Sequence, residues 1–322
     1  MTEGFAGRYR GIRVAVTGGS GYLAHPLRCA LSRSGASVLV VSRRAVALLP
    51  GETMMSADVR TPECWEPILG QADVIFHLVG NTSAYASARD PRASLDSTVL
   101  PINHLLAAAA RQPGMRVVYA STATVYGMTD DLPVSEDAPT NPVTVYDLHK
   151  LCAEQHLRLG SHKGLVEGVS LRLANVYGPS ASGSSAGDRG VLNRVARLAL
   201  QGSDLSLYGG GQYVRDYVYI DDVVRAFLAA GVAPGVAGSS FNVASGVGRT
   251  IREAFEIMVA RAEKKTGRPC RIADAPWPPE TDPIEYRSFV ADVRRFSSAC
   301  GWEPEVGLVE GVDRLLESLV IA

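Results

Sequence analysis

Two rhythms of apolar and polar positions alternate along the first half of the chain. Ile12–Thr17, Ser37–Val41, Asp73–Leu78, Arg116–Ala120 and Gly168–Leu173 are apolar runs too short to be helices. Between them, Leu23–Ser34, Pro91–Arg111 and Val145–Leu159 carry apolar residues at helical spacing. In the second of these, Leu95, Val99, Ile102, Leu105 and Leu106 fall on one side. Short buried strands alternating with amphipathic helices predict βαβ units and a doubly wound parallel sheet, an α/β fold. Beyond Pro179 the texture changes. Ser180–Gly190 is rich in Ser, Gly and Ala and reads as a mobile loop. Helices are expected near Val191–Gln201, Asp221–Ala230, Ile251–Lys264 and Leu308–Leu319, with a strand near Val214–Ile220. The four prolines of Pro276–Pro283 predict irregular chain. The pattern divides the chain into a first unit over residues 1–175 and a smaller lobe over 176–322, with some segments of the lobe returning to the first unit.

The chain's 322 residues are 46% hydrophobic, and its mean hydropathy is +0.06, enough apolar material for a sizeable core. Lys and Arg number 32 against 33 Asp and Glu, which argues against a nucleic-acid binder. No run approaches the ~20 apolar residues of a bilayer span, and Met1–Arg10 lacks an apolar leader core. Cys29, Cys64, Cys152, Cys270 and Cys300 show no metal-binding spacing. Their odd number suits free thiols in a reducing compartment. The expectation is a cytoplasmic protein with no membrane partner and no metal.

The stretch Gly18-Gly-Ser-Gly21-Tyr22-Leu23-Ala24 follows the first strand and opens the first helix. Gly19-x-Gly21-x-x-Ala24 fits a dinucleotide fingerprint, in which glycines permit a tight turn and let backbone amides approach a pyrophosphate. In that place it predicts a Rossmann-type cofactor half, with Gly18, Gly19, Ser20, Gly21, Tyr22 and Leu23 at the cofactor. An NAD site places a carboxylate at the end of the second strand, for the ribose hydroxyls. Here Ser42-Arg43-Arg44 stands instead. Guanidinium groups suit a 2′-phosphate, so NADP(H) is preferred and NAD(H) remains possible. Asp58 and Val59, after the third strand, and Leu78 and Val79, after the fourth, are further candidate cofactor contacts.

Tyr146 and Lys150 lie four apart on a predicted helix and share a face. A tyrosine, ordinarily titrating near ~10, needs a neighbouring cation to exchange a proton at neutral pH. Ser121-Thr122-Ala-Thr124 ends a strand and offers hydroxyls to a substrate oxygen.

Taken together, these elements resemble the extended short-chain dehydrogenase/reductases, specifically the sugar-nucleotide epimerase/dehydratase group. The resemblance runs from Ile12 to Leu319. It includes the glycine loop, His77-Leu78, Ser121–Gly127, Tyr146-x-x-x-Lys150, Leu171–Pro179, Tyr208–Asp222, Phe241-Asn242-Val243 and Gly301-Trp302-Glu-Pro304. It implies that Tyr146 is the acid/base, that Lys150 binds the nicotinamide ribose and tunes the tyrosine, and that Thr122 bonds the reacting sugar oxygen. It further implies a nucleotide-diphosphate sugar as substrate, with Asn175 and Arg215 holding the diphosphate and Arg287 as a candidate second phosphate ligand. A surface salt bridge reads equally well for Arg287, because Ile284–Phe289 departs from the common pattern. His77 reads as a core or cofactor-adjacent residue, Asp216 as a turn residue, Asp221 as a helix N-cap, and Asp147 and His149 as pointing off the catalytic face. A homodimer through the helices near Pro91–Arg111 and Val145–Leu159 is implied as well.

Within the group, dehydratases and decarboxylases place an acid after the Ser/Thr, where this chain has Ala123-Thr124. No extra Cys/His pair marks a 3,5-epimerase. A 4-epimerase and a 4-ketoreductase remain. The Arg pair and a likeness of Val143–Lys150, Val169–Leu173 and Arg287–Val290 to NDP-4-keto-6-deoxyhexose reductases favour the ketoreductase.

Overall fold

The computed structural model describes residues 3–180 and 190–321; most of the Ser180–Gly190 loop therefore lies outside the described residues. Strands β1 (Arg13–Thr17), β2 (Ser37–Ser42), β3 (Glu52–Ser56), β4 (Val74–His77), β5 (Met115–Thr122) and β6 (Val166–Leu173) come from the first half. They are followed by β7 (Asn175–Tyr177), β8 (Leu205–Tyr208), β9 (Val214–Tyr219), β10 (Ser239–Val243), β11 (Gly248–Thr250) and β12 (Ile272–Ala275). Seven form one sheet in the order β10-β6-β5-β4-β1-β2-β3, and every pairing in it is parallel. Parallel strands are covered on both faces, which is why β1, β2, β4, β5 and β6 are buried almost from end to end.

One apolar layer joins β1, β2 and β4 to the helices Ala24–Ser34 and Ile220–Val232, with Phe296 and Trp302 from the C-terminal part. The other joins the opposite face to Trp65, Ile102, Leu105, Ala153 and Leu157. A third cluster fills the lobe between the helices Val191–Gln201, Ile251–Thr266 and Leu308–Ile321. The lobe also carries a three-stranded sheet, β11-β9-β7, and the pair β12-β8. Strand β10 belongs to the lobe's half of the sequence yet pairs with β6 in the large sheet. Among the described residues no helix is long and apolar enough to cross a membrane.

The expected helix over Pro91–Arg111 is two helices, Pro91–Thr98 and Leu100–Ala109. Pro101 breaks it, since a proline has no N–H to continue the ladder and its ring crowds the preceding turn. Asp221 is not an N-cap: Tyr219 holds that place, and Asp221 lies in the first turn with Arg314 at 3.6 Å.

Candidate active site

The sheet reverses its direction of growth between β1 and β4, and ligands of such sheets bind at the strand ends beside that point. There Thr17 and His77 are paired in register, with Thr17 Oγ1 2.8 Å from His77 Nδ1. The Gly18 and Gly19 amides both donate to the Val41 carbonyl, and the Gly21 amide to Gly18. Gly18 has φ +76°, and a Cβ there would crowd the Leu78–Val79 backbone; one on Gly19 would overlap the Val40 side chain. The helix Ala24–Ser34 begins with no side-chain cap and no acid in its first turn, so its N-terminus fits an anionic pyrophosphate. Tyr22 and Leu23 turn their side chains into the core: Tyr22 donates to the Gly178 carbonyl at 2.9 Å, and both pack on the lobe cluster. Below the loop, the buried Arg28–Glu52 pair (2.5 Å) braces the turn, with Arg28 donating to the Gly19 and Ala47 carbonyls.

At the end of β2, the Ser42 hydroxyl is buried and accepts from the Arg44 amide at 3.2 Å. Arg43 and Arg44 are exposed. Arg43 comes no nearer than 3.9 Å to Asp58, whose carboxylate is taken by Arg60 and held below the usual carboxylate range by it. Val59 is buried, its carbonyl accepting from Trp65 Nε1. These residues fit a nicotinamide dinucleotide: a tight glycine turn leading to an uncapped helix N-terminus for the pyrophosphate, and two exposed guanidiniums at the end of β2.

The helix Val145–His162 starts on Thr144, whose Oγ1 accepts from the Asp147 amide at 3.1 Å. It lays Lys150 under the strand ends. Lys150 Nζ donates to the Ala120 carbonyl at 2.7 Å and lies 4.9 Å from the Tyr119 ring centroid and 6.0 Å from that of Tyr146. Burial drives its pKa down to about 8, and the charge of Glu154 one turn on opposes that fall. His77, stacked on Tyr119 at 5.9 Å, is pushed down to about 3 by burial and by Lys150. It is neutral and serves the core. Thr122 Oγ1 lies 2.9 Å from Thr124 Oγ1 and accepts from the Thr124 amide.

On the lobe side, the Asn175 amide donates to the Asp216 carbonyl at 3.1 Å. Asp216 is structural, accepting from the amides of Ser245, Gly246 and Ala291. Arg215 is buried; it donates to the carbonyls of Val214 and Glu285 at 3.2 and 2.8 Å and to that of Arg287. Arg287 is no surface residue. It is buried, lies over the Phe289 ring at 5.4 Å, and is lowered to about 10 by burial and by Arg215. Asp147 is buried too and faces Thr124, Thr144 and Arg287, whereas His149 Nδ1 turns to Ser94 at 2.9 Å.

Three groups went unnoticed in the sequence. Glu154 forms a buried bidentate pair with Arg172 (2.8 Å), accepts from Ser121, and sits four residues past Lys150. Arg28 braces the glycine loop. An aromatic cluster, Tyr208, Tyr213, Trp277 and Tyr286, stands beside the Arg215–Arg287 segment. The spacing from Lys150 was a signal for Glu154; the aromatics come from distant segments and gave none.

Residues 14–244 match the model of the NAD dependent epimerase/dehydratase family. The chain belongs to that family. This epimerase/dehydratase-family chain is a sugar-nucleotide enzyme of the extended short-chain dehydrogenase/reductase type. It is 32% identical to a UDP-glucose 4-epimerase of Mycolicibacterium smegmatis, over 95% of this chain and 98% of that one. It is 29% identical to a dTDP-4-dehydro-6-deoxyglucose reductase of Escherichia coli, over 63% of this chain and 61% of the relative. The Thermotoga maritima UDP-glucose 4-epimerase, solved with UDP-glucose, superposes with a TM-score of 0.84 at 27% identity, covering 96% of this chain and 98% of that chain.

Proposed function

We propose that this enzyme reduces C4 of a nucleotide-diphosphate 4-keto-6-deoxyhexose, with NADPH as its partner. The observation that carries the reading is the exposed Arg43–Arg44 pair at the end of β2, a strand end that carries no carboxylate of its own, the nearby Asp58 being held by Arg60. A reductase consumes one reduced cofactor per turnover, and a 2′-phosphate contact suits that use. When bound, the nicotinamide supplies the hydride. The chain's own residues do the rest. Thr122 Oγ1 donates to the sugar carbonyl oxygen, and the Tyr146 hydroxyl delivers a proton to it. The buried Lys150 ammonium, anchored on the Ala120 carbonyl, keeps a positive charge beside the tyrosine ring. Asn175, Arg215 and Arg287 take the diphosphate end, and the exposed apolar residues of the helix Val145–His162 pair two copies of the chain.

A 4-epimerase using the same three residues is the second reading, favoured by the M. smegmatis relative. The test is to mix the purified chain with NADPH and a dTDP-4-keto-6-deoxyhexose, and separately with UDP-glucose. Stoichiometric NADPH oxidation is expected. Interconversion of UDP-glucose and UDP-galactose without NADPH loss overturns the reductase in favour of the epimerase. Arg43→Ala/Arg44→Ala is expected to raise KM for NADPH by about 10- to 100-fold, the scale of a lost charge-assisted phosphate contact, and to leave KM for NADH unchanged.

A further inference from the structure

Asp147 and Arg287 are charged side chains of the site with polar atoms left unanswered. Among the described residues, both carboxylate oxygens of Asp147 and Nη1 of Arg287 are buried without a hydrogen bond of good geometry, the Thr124 and Thr144 hydroxyls being the neighbours of the carboxylate. The residues are only 1% and 6% exposed. Each feels the other's charge, yet they form no hydrogen bond to each other. Leaving such groups dry and unpaired is costly, and closing the gap would relieve both at once. Asp147 is fixed in the first helical turn by Thr144, and Arg287 by its stacking on Phe289 and the hold of Arg215 on its carbonyl. The slot adjoins the reacting oxygen's own ligands: Thr124, which faces Asp147, lies 2.9 Å from Thr122, and Tyr146 acts on Arg287.

A group filling this slot has to donate to a carboxylate and accept from a guanidinium. A phosphate only accepts and is repelled by Asp147. An ammonium only donates and is repelled by Arg287. A hydroxyl does both. We propose that Asp147 and Arg287 together bind one ring hydroxyl of the sugar, at C2 or C3, and so make that hydroxyl a requirement for substrate. Arg287 has five donors, so this use leaves others for the diphosphate. Asp147 is then a specificity-determining residue, directly after the catalytic tyrosine in the chain. The inference rests on the sugar-nucleotide reading of the site.

The test ranks UDP-, dTDP- and GDP-glucose by thermal shift and carries the tightest into calorimetry with its 2-deoxy and 3-deoxy analogues and the free nucleoside diphosphate. One deoxy analogue is expected to bind the native chain at least about tenfold more weakly than the parent. In Asp147→Ala, parent and analogue are expected to bind within about twofold of each other, while the nucleoside diphosphate binds as it does to the native chain. Asp147→Val, which has no polar atom to accept from the hydroxyl, serves the same comparison if the alanine variant does not fold. Equal binding of parent and both analogues to the native chain overturns the slot and leaves the sugar-nucleotide reading standing. So does an Asp147 variant that weakens the nucleoside diphosphate as much as the sugar nucleotide. Absence of binding by all three nucleotide sugars overturns the sugar-nucleotide reading, and the slot with it.

Discussion

If Lys150 tunes the catalytic tyrosine as proposed, it sets a pH limit that a measurement can read. Its folded pKa, about 8, lies below the ordinary ~10.4 of a lysine. Activity that needs the ammonium is therefore flat below that value and falls as pH rises through it. The sign for stability is the reverse. The unfolded chain binds the proton more tightly, so this group's burial cost is present in full below about pH 8 and shrinks as pH rises toward ~10.4. Glu154 supports the charge, so Glu154→Gln is expected to move the alkaline limb of the kcat profile to lower pH, while a purely structural role would lower activity without moving the limb. The placement of Tyr146 and Lys150 on one helix and of Thr122 at a strand end was legible because an i, i+4 pair and a strand end are local features. The burial of Arg287 and the inward turn of Asp147 were not legible. Arg287 is buried against Arg215 and Phe289, and it meets the charge of Asp147 from about 140 residues away in sequence, a relation no local spacing encodes.

Among the elements, the glycine turn is the least tolerant. Val40 is fully buried in β2, so a methyl group on Gly19 can be accommodated only by shifting strand or turn. Gly19→Ala is expected to destabilise by about 1–3 kcal/mol, as overpacked cores do, and to weaken cofactor binding; chemical unfolding with and without NADP(H) checks both. The parallel strands of the first half were readable because they are uniformly apolar. Strand β10 was not: its sequence, Ser-Ser-Phe-Asn-Val, is half polar. Its polar side chains have buried duties, Ser240 on Glu154 and Asn242 on Tyr126, Val134 and Asp292. The break in the helix after Thr98 was present in the sequence as Pro101, outweighed by an apolar periodicity that continues across it.

For the molecule as a whole, the helix Val145–His162 leaves Leu148 and Leu159 about half exposed. They lie three turns apart on one face, with half-buried Cys152 between them. If this face joins two copies, Leu148→Glu/Leu159→Glu is expected to convert a dimer to a monomer in analytical ultracentrifugation without lowering the melting temperature of the monomer fold. Native protein sedimenting as a monomer at micromolar concentration overturns the assembly. The return of the chain to the large sheet bears on how such an enzyme can be recombined. With β10 completing the sheet beside β6, and Trp302 donating to the Asp222 carbonyl at 2.9 Å beneath the helix Ile220–Val232, the two halves are interleaved rather than strung in series. A chimera that grafts a new C-terminal lobe at a single crossover after residue 175 would also exchange an edge strand and the packing behind β4 and β5. Domain shuffling at one joint is closed to this architecture; new specificity has to enter by changes within the lobe's loops and segments, with the shared sheet left in place.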